Sequence, residues 1–126
     1  MILGIGTDIV EVERVAAKIQ KGQGFRELVF TPDEIAYCEK QASKYESYAA
    51  RFAAKEAFLK ALGTGWGNGG VNFNEIEVHN NDAGKPSIFL LEPATRLYAE
   101  KNICKISVSL SHVKTMAIAF VIIEAD

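Results

Sequence analysis

The run MAIAFVII, residues 116–123, is apolar at every position. As a strand it has no polar side to give to water, so it belongs in the middle of a sheet. The segment before it, CKISVSLS (104–111), alternates strictly. Cys104, Ile106, Val108 and Leu110 point one way; Lys105, Ser107, Ser109 and Ser111 point the other. That is a strand with one polar face, and HVKT between the two runs reads as a hairpin connection. At the other end of the chain ILGIGT (2–7), short, apolar and punctuated by glycine, reads as a further strand.

Between these strands lie helices. EVERVAAKIQ (11–20) carries Val12, Val15, Ala16 and Ile19 at i, i+3, i+4, i+7, the spacing of an amphipathic helix, and GQG (22–24) ends it. FTPDEIAYCEK opens with Thr31 as N-cap, Pro32 at the first helical position and Glu34 at the third. A third helix runs from about Tyr45 to Leu62 and stops at Gly63. FNEIEVHN (73–80) and PSIFLL (86–91) are strand-like and joined by the turn NDAGK; PATRLYAEK (93–101) is a short helix opening with Pro93. The order predicts one compact α+β domain over residues 1–126, with mostly antiparallel strands packed with helices.

Composition narrows the function classes. Sixteen acidic against fourteen basic residues give a net charge of −2. That argues against bulk attraction to nucleic acid or an anionic membrane, though it leaves room for a local basic patch. Cys38 and Cys104 are far apart and match no metal spacing, so they read as free thiols in a reducing compartment. The apolar N-terminus lacks a basic start and is interrupted by Asp8, unlike a signal peptide. No apolar run approaches the ~20 residues of a membrane helix. These features together predict a cytoplasmic protein.

The chemistry centres on RFAAKEAFLKALGTG (51–65). At 3.6 residues per turn Ala49, Phe52, Ala53, Leu59 and Gly63 share a face expected to be buried, with Glu56 in its middle and Lys60 at its margin. A carboxylate there needs a cation, or a second acidic group sharing a metal. Asp8, at the end of the first strand, could be that second carboxylate; two carboxylates plus water and phosphate oxygens are the usual way of holding Mg²⁺. Taken alone, Asp8 has a simpler role, a capping box with Glu11 at the start of the first helix. Glu56 and Lys60 could likewise be no more than a surface i, i+4 pair.

Other features carry weaker signals. GTGWGNGG (63–70) contains G-x-G-x-x-G at Gly65, Gly67 and Gly70, but a helix precedes it and a strand follows, the reverse of a dinucleotide fingerprint. It is either a helix cap with a connector or a loop whose amides approach a phosphate. His79 sits on a strand and His112 at the end of the serine-lined one; no pattern supports zinc. Arg14, Lys18 and Lys21 follow i, i+4, i+7, with Arg26 just beyond, off the apolar stripe of the first helix. By itself that is a solvated basic face.

Together, GIGTDIVEVERV, FTPDEIAYC, RFAAKEAFLKALGTG and SLSHVKTMAIAFV resemble the holo-acyl-carrier-protein synthases, the short type of 4'-phosphopantetheinyl transferase. The resemblance spans nearly the whole chain in the family's order. It implies transfer of the 4'-phosphopantetheine arm of coenzyme A to a serine of apo acyl carrier protein, for fatty acid biosynthesis. Adenosine 3',5'-bisphosphate is released and Mg²⁺ is required. It implies Asp8 and Glu56 as metal ligands, Lys60 near the phosphates, His112 in the nucleotide site, and a homotrimer with sites between subunits. Gly63 and Gly65 would then allow close backbone approach to the coenzyme. Glu56, or a water on the metal, would take the serine's proton. Arg14, Lys18, Lys21 and Arg26 would form the landing surface for an acidic carrier protein. Two alternatives fit fewer features: a Mg²⁺-dependent transferase acting on a small molecule would not need the basic helix face, and a non-catalytic nucleotide- or acid-binding module would not need Asp8 and Glu56 together.

Overall fold

A computed structural model describes residues 1–64 and 70–126. The described elements are β1 (Ile2–Glu11), α1 (Val12–Gln20), α2 (Phe25–Val29), α3 (Pro32–Glu39), α4 (Lys44–Leu62), a 3-10 turn (Phe73–Glu75), β2 (Ile76–Asn80), β3 (Pro86–Leu90), α5 (Arg96–Glu100), β4 (Ile103–His112) and β5 (Met116–Ala125). Strands β1, β5 and β4 form one antiparallel sheet in that order, and β2 and β3 a separate hairpin. β5, which carries the apolar run 116–123, is therefore central, as that composition requires.

Helix α4 fills the centre of the molecule. It packs on β1, β5 and β4 on one side and meets α1, α3 and β2 on the others. Its approach to β1 is set by two glycines. A Cβ on Gly4 would lie 1.7 Å from the carbonyl oxygen of Ala61, and one on Gly6 would lie 1.9 Å from that of Ala57. With Ala53, Ala57 and Ala61 buried in the core, backbone lies almost on backbone. This is why the first strand reads GIG: no side chain fits between strand and helix.

Several boundaries differ from the sequence reading, each for a tertiary reason. β1 does not stop at residue 7. Its pairing with β5 continues through Asp8 opposite Ala119 to Glu11 opposite Met116. Asp8 therefore lies inside a strand and caps nothing; Glu11 is the N-cap of α1 and makes no side-chain cap bond. Residues 73–75 form a 3-10 turn before β2 begins, and the helix expected from Pro93 is formed only over Arg96–Glu100. The segment after GQG forms the short helix α2, which periodicity did not suggest. Thr31 and Glu34 do make the expected capping box, and Gly63 ends α4 in the left-handed conformation at φ 87°.

One face of the large sheet covers α4. On the opposite face the register aligns Ile9 with Ile118 and Ser111, Thr7 with Phe120 and Ser109, and Ile5 with Ile122 and Ser107. Ile5, Ile9 and Phe120 are half or more exposed there. The serines thus border an open apolar strip and stay out of the core, as their alternation predicts.

Candidate active site

Helix α4 overturns one expectation about Glu56. Beyond its first turn the helix is buried almost all round, and the residues left less covered are Phe52, Glu56, Lys60 and Leu62, with the cap Gly63 after them. Phe52, Glu56 and Lys60 recur at i, i+4 and i+8 and mark the seam where α4 looks out between α1 and β1. The face expected to be buried is so at Ala49, Ala53 and Leu59 and opens along the edge that carries Glu56; because α4 is enclosed by sheet and helices together, a single-face periodicity does not mark that edge. Glu56 is half-buried at this seam and so answers to solvent as well as to its neighbours.

Those neighbours form a cleft of about 380 Å³ lined by Asp8, Glu11, Arg14, Lys18, Phe52 and Glu56, among others. β1 delivers Asp8, α4 delivers Glu56 and Lys60, and α1 delivers Arg14 and Lys18. Glu56 has its pKa raised, first by burial and then by the charge of Asp8, while Lys60 and Lys18 pull it back down. Lys60 donates to Asp8 Oδ1 at 2.8 Å and to the Thr7 carbonyl at 3.1 Å. The bond with Asp8 raises the pKa of Lys60. Two carboxylates that repel one another across a cleft open to water are a donor set suited to a hard divalent cation.

The remaining candidates are placed less uniformly. Lys21 borders a groove beside Lys18, Phe25 and Leu28. Arg26 stands apart, its guanidinium held by Glu27 at 2.7 Å and Glu39 at 3.3 Å. Gly63 is a helix cap exposed to solvent, and Gly65 and Gly67 lie outside the described residues. His112 ends β4 and its Nδ1–H donates to Glu46 Oε1 at 2.8 Å. Glu46 is in the first turn of α4, ten residues before Glu56. At ~1.5 Å per residue that is roughly 15 Å along the helix, so within one chain His112 is not brought to the Asp8–Glu56 cleft.

Sequence reasoning missed the most buried charges. Lys55 is wholly buried and donates to Glu34 Oε1 at 2.6 Å and to the carbonyls of Val29, Phe73 and Ile76. Glu34 in turn accepts from the backbone N–H groups of Thr31 and Val78. Burial lowers the pKa of Lys55, and the Glu34 charge opposes that. One side chain thereby fastens α2, α3, the 3-10 turn and β2 to α4. A signal existed: Lys55 falls on the same helical stripe as Tyr48, Leu59 and Leu62 at i−7, i+4 and i+7. Asp33, Glu77 and His79 also converge, with one ligand-type atom from each all within 4.8 Å of one another. Glu77 there is already engaged by the Thr31 hydroxyl and by His79.

The profile of the 4'-phosphopantetheinyl transferase superfamily matches residues 4–121. The chain belongs to that superfamily. It is 52% identical over 128 residues to the holo-acyl-carrier-protein synthase of Cytophaga hutchinsonii, covering all of both chains. It is 47% identical to that of Solibacter usitatus, over 98% of this chain and 99% of the relative. Among solved structures it superposes on the Neisseria meningitidis holo-acyl-carrier-protein synthase with a TM-score of 0.90 at 38% identity, covering 98% of this chain and 99% of the other. The Bacillus anthracis enzyme, solved in complex with CoA (3',5'-ADP), matches with a TM-score of 0.82, also at 38% identity, over 100% and 99% of the two chains. The α+β architecture is thus that of the 4'-phosphopantetheinyl transferases.

Proposed function

We infer that this transferase moves the 4'-phosphopantetheine group of coenzyme A to a serine of apo acyl carrier protein, releasing adenosine 3',5'-bisphosphate, for fatty acid biosynthesis. The observation that carries the reading is the shared cleft, where two carboxylates from β1 and α4 meet two cations from α1. Asp8 and Glu56 hold Mg²⁺. When bound, the ion neutralises charge on the pyrophosphate as the leaving phosphate departs. Glu56, or a water on the ion, would take the proton of the incoming serine hydroxyl. Lys60 supplies positive charge to the coenzyme's phosphates, and Gly63 at the end of α4 lets backbone approach them. The nucleophile is the partner's, so this chain needs no activated serine of its own. Incubation with coenzyme A, Mg²⁺ and an apo carrier protein, read by intact mass, should add one phosphopantetheine to the carrier. No added mass would reject the assignment.

Arg14, Lys18 and Lys21 form the docking face for an acidic carrier protein, with Arg26 at its margin. Arg14 and Lys18 border the cleft itself, which would set the carrier's serine beside Glu56. Arg14→Glu is expected to raise the Michaelis constant for the carrier roughly fivefold at low salt, the scale of one exposed ion pair. The effect shrinks as ionic strength rises, and the constant for coenzyme A stays nearly unchanged. Equal effects on both substrates would count against docking.

The working form is a homotrimer in the cytoplasm. No helix among the described residues is long and apolar enough to cross a membrane, and Cys38 and Cys104 are free thiols. The open apolar strip of Ile5, Ile9, Ile118, Phe120 and Ile122 is a surface suited to another copy. A neighbour's His112 would then complete the nucleotide site that one chain leaves far from Glu56. Asp8→Ala and His112→Ala variants, weak or inactive alone, should regain a fraction of wild-type activity when unfolded together and refolded. Mixed trimers without recovery would place both groups in one chain's site.

A further inference from the structure

Lys60 uses the carboxylate that the divalent ion would use. Its Nζ donates to Asp8 Oδ1 at 2.8 Å and is anchored a second time by the Thr7 carbonyl at 3.1 Å. Asp8 is nearly covered, its side chain 11% exposed, whereas that of Lys60 is 55% exposed. Few directions of approach to Asp8 remain. Mg²⁺ holds carboxylate oxygens at about 2.0–2.1 Å in a strict octahedron. With the ammonium still on Oδ1, an ion on either oxygen of this small carboxylate would lie close to Nζ, two cations on one acid that has little room around it.

We propose that Lys60 and the divalent ion compete for Asp8, so that binding of the ion releases the lysine and frees its charge for the phosphates of coenzyme A. The inference rests on the reading of Asp8 and Glu56 as the metal ligands. Lys60 is built for such an exchange. Its four-carbon stem is flexible and mostly in solvent, its second anchor is a single backbone carbonyl, and it lies one turn beyond Glu56 on the rigid helix α4. Asp8 stays fixed by the β1–β5 ladder, so the lysine is the member that moves. The exchange makes metal and coenzyme mutually supportive: the ion raises the affinity for coenzyme A by liberating Lys60, and by reciprocity coenzyme A raises the affinity for the ion. A lysine that merely steadied Asp8 would give the opposite result on removal, a weaker metal site.

The test is Mn²⁺ titration of the wild-type, Lys60→Met and Asp8→Asn proteins without substrate, following free Mn²⁺ by electron paramagnetic resonance. Circular dichroism verifies the fold of each variant. Lys60→Met should bind Mn²⁺ about three- to tenfold more tightly than wild type, the scale of a partly exposed ion pair. Asp8→Asn should lose binding. In calorimetry, Mn²⁺ should strengthen coenzyme A binding to wild type and do so less in Lys60→Met. Unchanged or weaker Mn²⁺ binding in Lys60→Met, with Asp8→Asn still deficient, overturns the competition and leaves the metal site standing. Wild-type binding by Asp8→Asn overturns both.

Discussion

Glu56→Gln and Asp8→Asn are each expected to lower the rate of phosphopantetheine transfer by on the order of a hundred- to a thousandfold, the scale of losing a preorganised charge at a reacting centre. Both substitutions keep shape and hydrogen-bonding capacity, so the fold survives. Stability should move the other way for Glu56. Its pKa in the folded chain lies above the ordinary value, through burial and the charge of Asp8. The folded chain therefore holds the Glu56 proton to higher pH than the unfolded chain does. The stability this gives is full below the unfolded pKa and is lost as pH rises through the raised one. At neutral pH the ionised carboxylate is a burden on the metal-free protein, and Glu56→Gln should melt at a higher temperature than wild type in the presence of chelator. The gap should close on acidification. Full activity of either variant at ordinary Mg²⁺ would sink the metal-ligand assignment.

Gly6→Ala, like Gly4→Ala, is expected to be a severely damaging addition to the chain. The new Cβ would lie 1.9 Å from the carbonyl oxygen of Ala57, backbone against backbone, with no flexible side chain to give way. β1 and α4 must separate by more than an ångström. Overpacking of this kind costs ~1–3 kcal/mol or more, which in a domain of this size lowers the melting temperature by about 10 °C. Because Asp8 is on one element and Glu56 and Lys60 on the other, activity should fall further than stability alone explains. Gly22→Ala is the control: its φ of 66° carries local strain, but nothing lies within 4 Å of the added atom. A Gly6→Ala protein with wild-type melting and activity would show that the glycine does not set the distance between strand and helix.

Much of the fold is legible because its signals are local. The capping box of Thr31 and Glu34 and the glycine cap at Gly63 are short-range chemistry, and the two-sided apolarity of β5 fixes its place in the sheet. That Asp8 and Glu56 meet at one cleft was also legible, though the wheel did not show where the helix opens. The helical wheel put Glu56 on a buried face, whereas α4 is enclosed almost completely and Glu56 sits on its one open seam. A wheel assumes that one side of a helix sees water. It fails where sheet and helices surround the helix, and there it also conceals Lys55, whose charge only a folded arrangement of distant carbonyls makes tolerable. Asp8 misled for a related reason. Its spacing to Glu11 is that of a cap, but the ladder to β5 claims the backbone through Glu11 and leaves the side chain free for the cleft. His112 was placed in the nucleotide site by resemblance alone, and nothing local in the sequence could tell whose Glu56 it would serve.

Lys55 and Glu56 are consecutive residues with opposite duties, one sealed in the interior and one open to the cleft. On a helix they differ by ~100° of rotation. A one-residue deletion in α4 before them would turn the acid toward the carbonyls of Val29, Phe73 and Ile76, which repel it, and press the lysine into the buried place of Ala54; an insertion would swing the lysine into the cleft and press the acid into the buried place of Ala57. Substitutions elsewhere along the helix can be absorbed one at a time, but its phase cannot. Variation in length should therefore be tolerated in connections such as residues 81–85 and be excluded from α4, where the helix acts as an indexed shaft that turns folding and chemistry together.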